Sequence, residues 1–185
     1  MASAAIHLAI AKKYLEKHKD LDYKEVIKGT LYPDAAEDND KTHYTLKTRG
    51  KDNVSHVRGK VVLYDFLKEH ETLNDFELGW FLHLVTDYLF FLECFTTEYL
   101  LSKSYKEFCK ELYHAYDCVN LYMEEKYHIV KEDYEFYPSE YYPGILYEEC
   151  ILSKEMIDHF IERVSSIDLE KYISKIQLFK KNIQP

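Results

Sequence analysis

The chain has 185 residues, with 24 Lys and Arg against 33 Asp and Glu, and a formal net charge of −9. This length suits one domain with a sizeable hydrophobic core, and we expect a single domain over 1–185. The acidic balance disfavours binding to long nucleic acids, which need clustered Lys and Arg to meet the phosphates.

Helix-forming residues dominate the chain, and only five Gly and four Pro interrupt them. No stretch alternates apolar and polar residues over enough positions to predict a sheet. The sequence therefore predicts an all-α fold.

The first predicted helix begins after Ser3, a good N-cap, and ends near His18. His7 shares its apolar face with Ile10, Ala11 and Tyr14, so the imidazole should point into the core. Such a His is either a hydrogen-bonded core residue or a metal ligand.

A short helix is predicted next over 22–29, closed by Gly29. An acidic, irregular loop should follow over 30–44, carrying Asp34 and His43. Taken singly, Asp34 after Pro33 is typical of a helix N-cap and His43 of an exposed loop residue. Residues 45–53 are expected to form an exposed loop end.

A helix is predicted over 53–70, with His56 near its start as a spare ligand. The central helix should begin near Asn74 and extend as far as Leu101. It is almost wholly apolar but carries His83 and Asp87, which are four residues apart and therefore share one face. They are either two metal ligands or a hydrogen-bonded pair within the core.

Gly79 lies one turn before His83 on that face, where the lack of a side chain lets another group approach closely. Further helices are predicted over 104–127, 153–164 and 168–181. Between them, the aromatic and acidic segment 132–149 should form a structured loop over one end of the bundle.

The chain start has no basic residue before its apolar run, so no signal peptide is predicted. The longest apolar run, 81–95, is interrupted by His83, Asp87 and Glu93, so no transmembrane segment is predicted either. No two cysteines have C-x-x-C spacing, so we expect reduced thiols in a cytoplasmic protein and no thiolate zinc site.

Five side chains become a candidate metal centre when they are considered together: His7, Asp34, His43, His83 and Asp87. Three imidazoles and two carboxylates would serve one closed site, or two metals that share a carboxylate. This N/O set suits zinc, with iron or manganese as alternatives.

The order of these residues resembles the bacterial zinc-dependent phospholipase C family, which is related to fungal single-strand-specific nucleases. The resemblance covers about the first half of the chain. It consists of His7-Leu8-x-x-Ala11, Gly29-x-x-x-Pro33-Asp34, Thr42-His43-Tyr44 and Gly79-x-x-x-His83-x-x-x-Asp87.

The resemblance implies an all-α bundle with one to three zinc ions and hydrolysis of phosphate esters. Asp34, His43, His83 and Asp87 would hold one metal and His7 another, with Asp87 bridging them. Asp34 would also be the candidate catalytic base, and a small phosphate ester or lipid headgroup the substrate. The oligomeric state is not predicted.

The sequence departs from the family pattern after the central motif. Glu93 stands where the family has a His, and the later His-x-x-x-Glu pair has its nearest parallel in His128-x-x-x-Glu132, with His114 as another candidate. A non-catalytic helical protein with one structural metal is therefore the main alternative.

A ferritin-like di-iron protein is a further alternative, since Glu111-x-x-His114 and Glu125-x-x-His128 fit its motif. The two pairs are about 21 Å apart along one helix, which is too far to share a site. A phosphohydrolase of the His-Asp class needs adjacent His and Asp, and His83 and Asp87 are not adjacent.

Overall fold

The computed structural model describes residues 2–45, 62–137 and 144–181, which form nine α-helices and one 3-10 helix. The all-α prediction is confirmed for these residues. The α-helices are α1 (Ala4–Lys17), α2 (Tyr23–Ala35), α3 (Asn39–Thr42), α4 (Leu63–Glu69), α5 (Asp75–Cys94), α6 (Thr97–Leu101), α7 (Tyr105–Lys126), α8 (Lys154–Ser165) and α9 (Leu169–Lys181). The 3-10 helix is Lys131–Tyr134.

Several helix starts lie where the capping residues predict them. The Ser3 hydroxyl accepts from the Ile6 N–H at the start of α1. Asn74 and Glu77 form a capping box at the start of α5, and Ser104 begins α7 in the same way. These local signals hold because each cap satisfies backbone N–H groups that have no partner within the helix.

Helices α2 and α5 cross in direct backbone contact, and two glycines make this possible. A Cβ atom on Gly29 would lie 1.9 Å from the Phe76 carbonyl oxygen, and one on Gly79 would lie 2.1 Å from the Val26 carbonyl oxygen. The close approach predicted for Gly79 is confirmed, and the approaching group is the backbone of α2.

The prediction that Gly29 closes a short helix was wrong. α2 continues to Ala35, so Asp34 lies on its last turn and not in an irregular loop. The second half of the predicted loop contains α3, and His43 is the residue that caps the C-terminal end of α3. Gly29 lies within α2 because the absence of a side chain there lets the backbone of α5 pack directly against the helix.

The central helix is also shorter than its upper predicted limit. α5 ends at Cys94, Phe95 has an extended backbone, and Thr96 caps the separate helix α6. Of the predicted helix over 53–70, only residues from 62 onward are described, so His56 and most of the predicted loop end over 45–53 lie outside the described residues. The same holds for 138–143 within the predicted loop over 132–149.

One continuous core joins the helices, and α5 runs through it with buried residues on every side. Trp80 ties this helix to α3, because its indole N–H donates to the Thr42 carbonyl oxygen at 2.8 Å. This hydrogen bond holds His43 beside α5. Within the described ranges, no helix is both long and apolar enough to cross a membrane.

Candidate metal centre

The structure brings all five predicted ligands together beside the crossing of α2 and α5. His7 comes from α1, Asp34 from the last turn of α2, His43 from the end of α3, and His83 and Asp87 from consecutive turns of α5. His7, His43, His83 and Asp87 are buried, and Asp34 is partly buried, with a side chain that is 10% exposed.

Four possible metal-ligand atoms lie close together at the centre. His43 Nε2 lies 3.1 Å from His83 Nε2, 3.1 Å from Asp34 Oδ1 and 3.6 Å from Asp87 Oδ2. His83 Nε2 lies 3.4 Å from Asp87 Oδ2 and 3.9 Å from Asp34 Oδ1. Ligands at 2.0–2.1 Å around a tetrahedral zinc ion would be about 3.3 Å apart, which is close to most of these distances. Two overlapping groups of three side chains could each hold a metal ion: Asp34, His43 and His83, and His7, His83 and Asp87.

Backbone carbonyls fix the orientation of both imidazoles. His83 Nδ1 lies 2.8 Å from the Thr30 carbonyl oxygen, and His43 Nδ1 lies 2.7 Å from the Asn39 carbonyl oxygen. A carbonyl oxygen accepts only, so each Nδ1 carries the proton and each neutral ring presents the Nε2 lone pair to the centre. Two such lone pairs at 3.1 Å cannot satisfy each other. A metal ion or an added proton must lie between them.

Three buried polar atoms at the centre have no hydrogen-bond partner among the described residues: His7 Nδ1, His7 Nε2 and Asp87 Oδ2. The other Asp87 oxygen accepts the Ala2 backbone N–H at 2.8 Å. The His7 ring stacks on that of His83 with centroids 3.7 Å apart, and its Nε2 lies 3.4 Å from Asp87 Oδ1. Buried polar groups without partners are rare, so these atoms are candidates for contact with a bound ion.

The alternative of a hydrogen-bonded His83–Asp87 pair is also compatible with this arrangement. His83 Nε2 lies 3.4 Å from Asp87 Oδ2, so a proton on His83 would pair the two side chains in place of a metal ion.

The charges at the centre are coupled, and the two carboxylates dominate. Burial would lower the pKa of His83, but Asp34 and Asp87 outweigh it and raise that pKa above the ordinary value of 6.5. Burial and the neighbouring His83 lower the pKa of His7. Burial opposes ionisation of both carboxyl groups, yet His83 holds the pKa of Asp34 below its usual value and that of Asp87 well below it. Without metal, these charges favour a proton on His83 over one on His7.

The four residues that might complete a larger cluster do not join these five. Glu93 forms an ion pair with Arg163 at 2.7 Å, and His114 pairs with Glu148 at 2.9 Å. His128 has a left-handed backbone at φ 52° just after α7, so His128 and Glu132 do not share a helix face. Both are exposed.

The ferritin-like motif is not assembled either. The Glu111 carboxylate accepts hydrogen bonds from Lys103 and from the Tyr99 hydroxyl. Glu125 and His128 are exposed at the far end of α7.

Four contacts around the centre were not predicted from the sequence. They are the carbonyls of Thr30 and Asn39, the Ala2 N–H, and Tyr116 on α7. Burial first, and then the negative charge of Asp87, raise the pKa of Tyr116 well above its ordinary value. Backbone groups carry no residue-specific signal, so only the Tyr116 side chain could have been found, from its place on the apolar face of α7.

No family model matches the chain, and comparison with curated proteins and with solved structures found no match. Function is therefore inferred from the geometry of the five side chains and from the motif order described above.

Proposed function

We propose that this protein is a zinc-dependent hydrolase of phosphate esters, similar to a phospholipase C phosphodiesterase. The observation that carries the proposal is the convergence of four acceptor atoms whose orientation is fixed by the backbone. A metal ion would reconcile the two facing imidazole lone pairs and the two carboxylates.

The donor set favours zinc over other metals. Imidazole nitrogens together with carboxylate oxygens suit Zn²⁺, whereas Mg²⁺ and Ca²⁺ prefer six or more oxygens. Iron or manganese would accept the same donors with a larger coordination number. His7 Nε2 and Asp87 Oδ1 would contribute to a second ion, so one to three ions remain the proposed range.

The ion would supply Lewis-acid chemistry, since bound zinc acidifies a water molecule and offsets negative charge on phosphate oxygens. The protein's own part centres on Asp34, which has the most exposed side chain of the five. Its lowered pKa keeps it ionised near neutral pH, although burial opposes this. We assign Asp34 to orient the attacking water and to accept its proton.

The proposed substrate is a small phosphate ester or a lipid headgroup. The centre is almost closed, so a compact phosphate group is the part of a substrate that would reach it. The net charge of −9 disfavours a long nucleic acid.

A non-catalytic protein with a structural metal is the second candidate, and one observation favours it. His43, His83, Asp34 and Asp87 together can fill four tetrahedral positions, and at least three of these side chains are no more than 1% exposed. Structural zinc sites are closed in this way, whereas catalytic sites keep an open position.

Hydrolysis of bis-p-nitrophenyl phosphate by the zinc-loaded protein separates the two candidates. The hydrolase should release p-nitrophenol, lose activity with a chelator and regain it with zinc. Asp87→Asn should be inactive, whereas Glu132→Gln, an exposed carboxylate outside the centre, should keep full activity. Bound zinc without turnover of a diester, a monoester or a phosphocholine ester would support the structural role.

A further inference from the structure

A second group of metal-binding side chains lies on the outer surface of α7, among residues that the proposed hydrolase does not use. His114 Nε2 lies 2.9 Å from Glu148 Oε1 and 3.7 Å from Cys118 Sγ. The three ligand atoms all lie within 4.8 Å of one another. His114 and Cys118 are one turn apart on the helix, and Glu148 comes from the segment that precedes α8.

The segment carrying Glu148 is held against α7 by its backbone. The Ile145 N–H donates to the Asp117 carbonyl oxygen at 3.0 Å. A Cβ atom on Gly144 would lie 2.6 Å from the Leu121 backbone nitrogen, so the chain approaches the helix as closely as glycine allows. The carboxylate is thus brought to the helix by contacts that do not involve the three ligands.

The surroundings of the Cys118 sulfur also suit a metal thiolate. Cys118 is fully buried, whereas the side chains of His114 and Glu148 are 52% and 60% exposed. The sulfur therefore forms the floor of a site that opens to solvent. Burial and the neighbouring Cys150 thiol raise the pKa of the Cys118 thiol, while a hydrogen bond from the Glu148 backbone acts in the opposite direction.

The geometry points to a second metal site, formed by His114, Cys118 and Glu148, that takes a thiophilic divalent ion such as zinc. One thiolate, one imidazole and one carboxylate favour zinc or cobalt over magnesium and calcium. Spacing did not predict this site, because its ligands come from two segments with no C-x-x-C motif. It is chemically distinct from the first centre, which contains no sulfur.

Cobalt titration of the fully reduced protein tests this site separately from the first. A Co²⁺–thiolate bond gives a charge-transfer band in the near ultraviolet, which His and Asp ligands do not produce. We expect such a band in the wild-type protein and in Asp87→Asn, and its loss in Cys118→Ser. Cys109→Ser, which removes a thiol from the same helix, should leave the band unchanged.

His114→Ala keeps the test valid if Cys118→Ser does not fold, because His114 is exposed. Loss of this ligand should weaken cobalt binding about tenfold or more, since even outer partners of metal ligands contribute 10–100-fold. No charge-transfer band in the reduced wild-type protein, or an unchanged titration in His114→Ala, would overturn the proposal. Either result leaves the phosphate-ester proposal unaffected, because that proposal depends on Asp87.

Discussion

Replacing Asp87 by Asn should strongly reduce metal binding at the centre without destabilising the metal-free protein. The substitution keeps the shape of the side chain, and its amide oxygen can still accept the Ala2 N–H that now reaches Oδ1 at 2.8 Å. The amide NH₂ would take the place of Oδ2, which lies 3.4 Å from His83 Nε2 and 3.6 Å from His43 Nε2. It can donate to these lone pairs, so a cation is no longer needed there.

The size of the metal effect follows from the atoms that zinc would satisfy. Asp87 Oδ2 and His7 Nε2 are buried without partners, and each such atom costs about 1–3 kcal/mol. If bound metal satisfied both atoms, the folded protein would be stabilised by about 2–6 kcal/mol. Zinc at 100 to 1,000 times its Kd stabilises by about 2.7–4.1 kcal/mol, which lies within that range. At about 2–4 °C per kcal/mol, a chain of this size should gain roughly 5–16 °C in Tm.

The assay measures zinc per chain by elemental analysis and Tm with and without zinc, after identical purification. The wild-type protein should bind zinc and show the full shift. Asp87→Asn should retain less than about half of the metal and shift by under about 3 °C, with an unchanged metal-free Tm. His7→Ala is the matched comparison: it should keep more metal and more of the shift than Asp87→Asn, because Asp34, His43, His83 and Asp87 remain.

One outcome would refute this reasoning directly. If Asp87→Asn binds as much zinc as the wild-type protein and shows the same thermal shift, Asp87 is not a ligand. Circular dichroism of both variants shows whether a loss of metal reflects a loss of fold. Wild-type protein that contains no metal and gains no stability from zinc would contradict the whole centre.

Three further predictions concern protons, packing and the α3 contact. Zinc binding should weaken as the pH falls and should release protons, because the pKa of His83 is raised and a proton on its Nε2 must leave before a metal can bind. A calorimetric heat that does not depend on the ionisation enthalpy of the buffer would contradict this. Gly79→Ala should destabilise the protein by at least about 1–3 kcal/mol and weaken zinc binding, because its Cβ would meet the Val26 carbonyl oxygen at 2.1 Å. Glu125→Ala is the control, because Glu125 is exposed, and it should change the free energy of unfolding in chemical denaturation by less than about 0.5 kcal/mol. If Gly79→Ala and Glu125→Ala have equal effects, close packing at Gly79 does not explain the loss of stability. Trp80→Phe should cost about 1 kcal/mol through loss of the indole hydrogen bond to Thr42, and a thermal melt identical to that of the wild-type protein would show that this bond does not hold α3.

The C-terminal end of α2 shows how a local sequence pattern can give the wrong helix boundary. Glycine after a polar helix commonly marks a C-terminus, and this pattern ended the predicted helix at residue 29. In the fold the same residue admits the backbone of α5 at 1.9 Å, and α2 continues for another six residues. Tertiary contact outweighs the local preference of glycine because the contact buries both helices.

Interactions within one or two helical turns could be predicted from the sequence by itself. These include the Ser3 and Asn74 caps, the inward face of His7, and the shared face of His83 and Asp87. The order of the motifs also indicated which five side chains belong together. All of these features depend on neighbours in sequence or on residue type, both of which the chain displays directly.

The tertiary structure decided everything that depends on distant backbone atoms. It placed the Thr30 carbonyl against His83 and the Asn39 carbonyl against His43, and so fixed which nitrogens face the centre. It also separated Glu93 and His128 from the five ligands and brought Glu148 to Cys118. Such contacts depend on how the helices cross and where the loops return to them. Nearly every residue has the same backbone carbonyl and N–H groups, so a sequence pattern cannot specify which of these groups will contact a distant side chain.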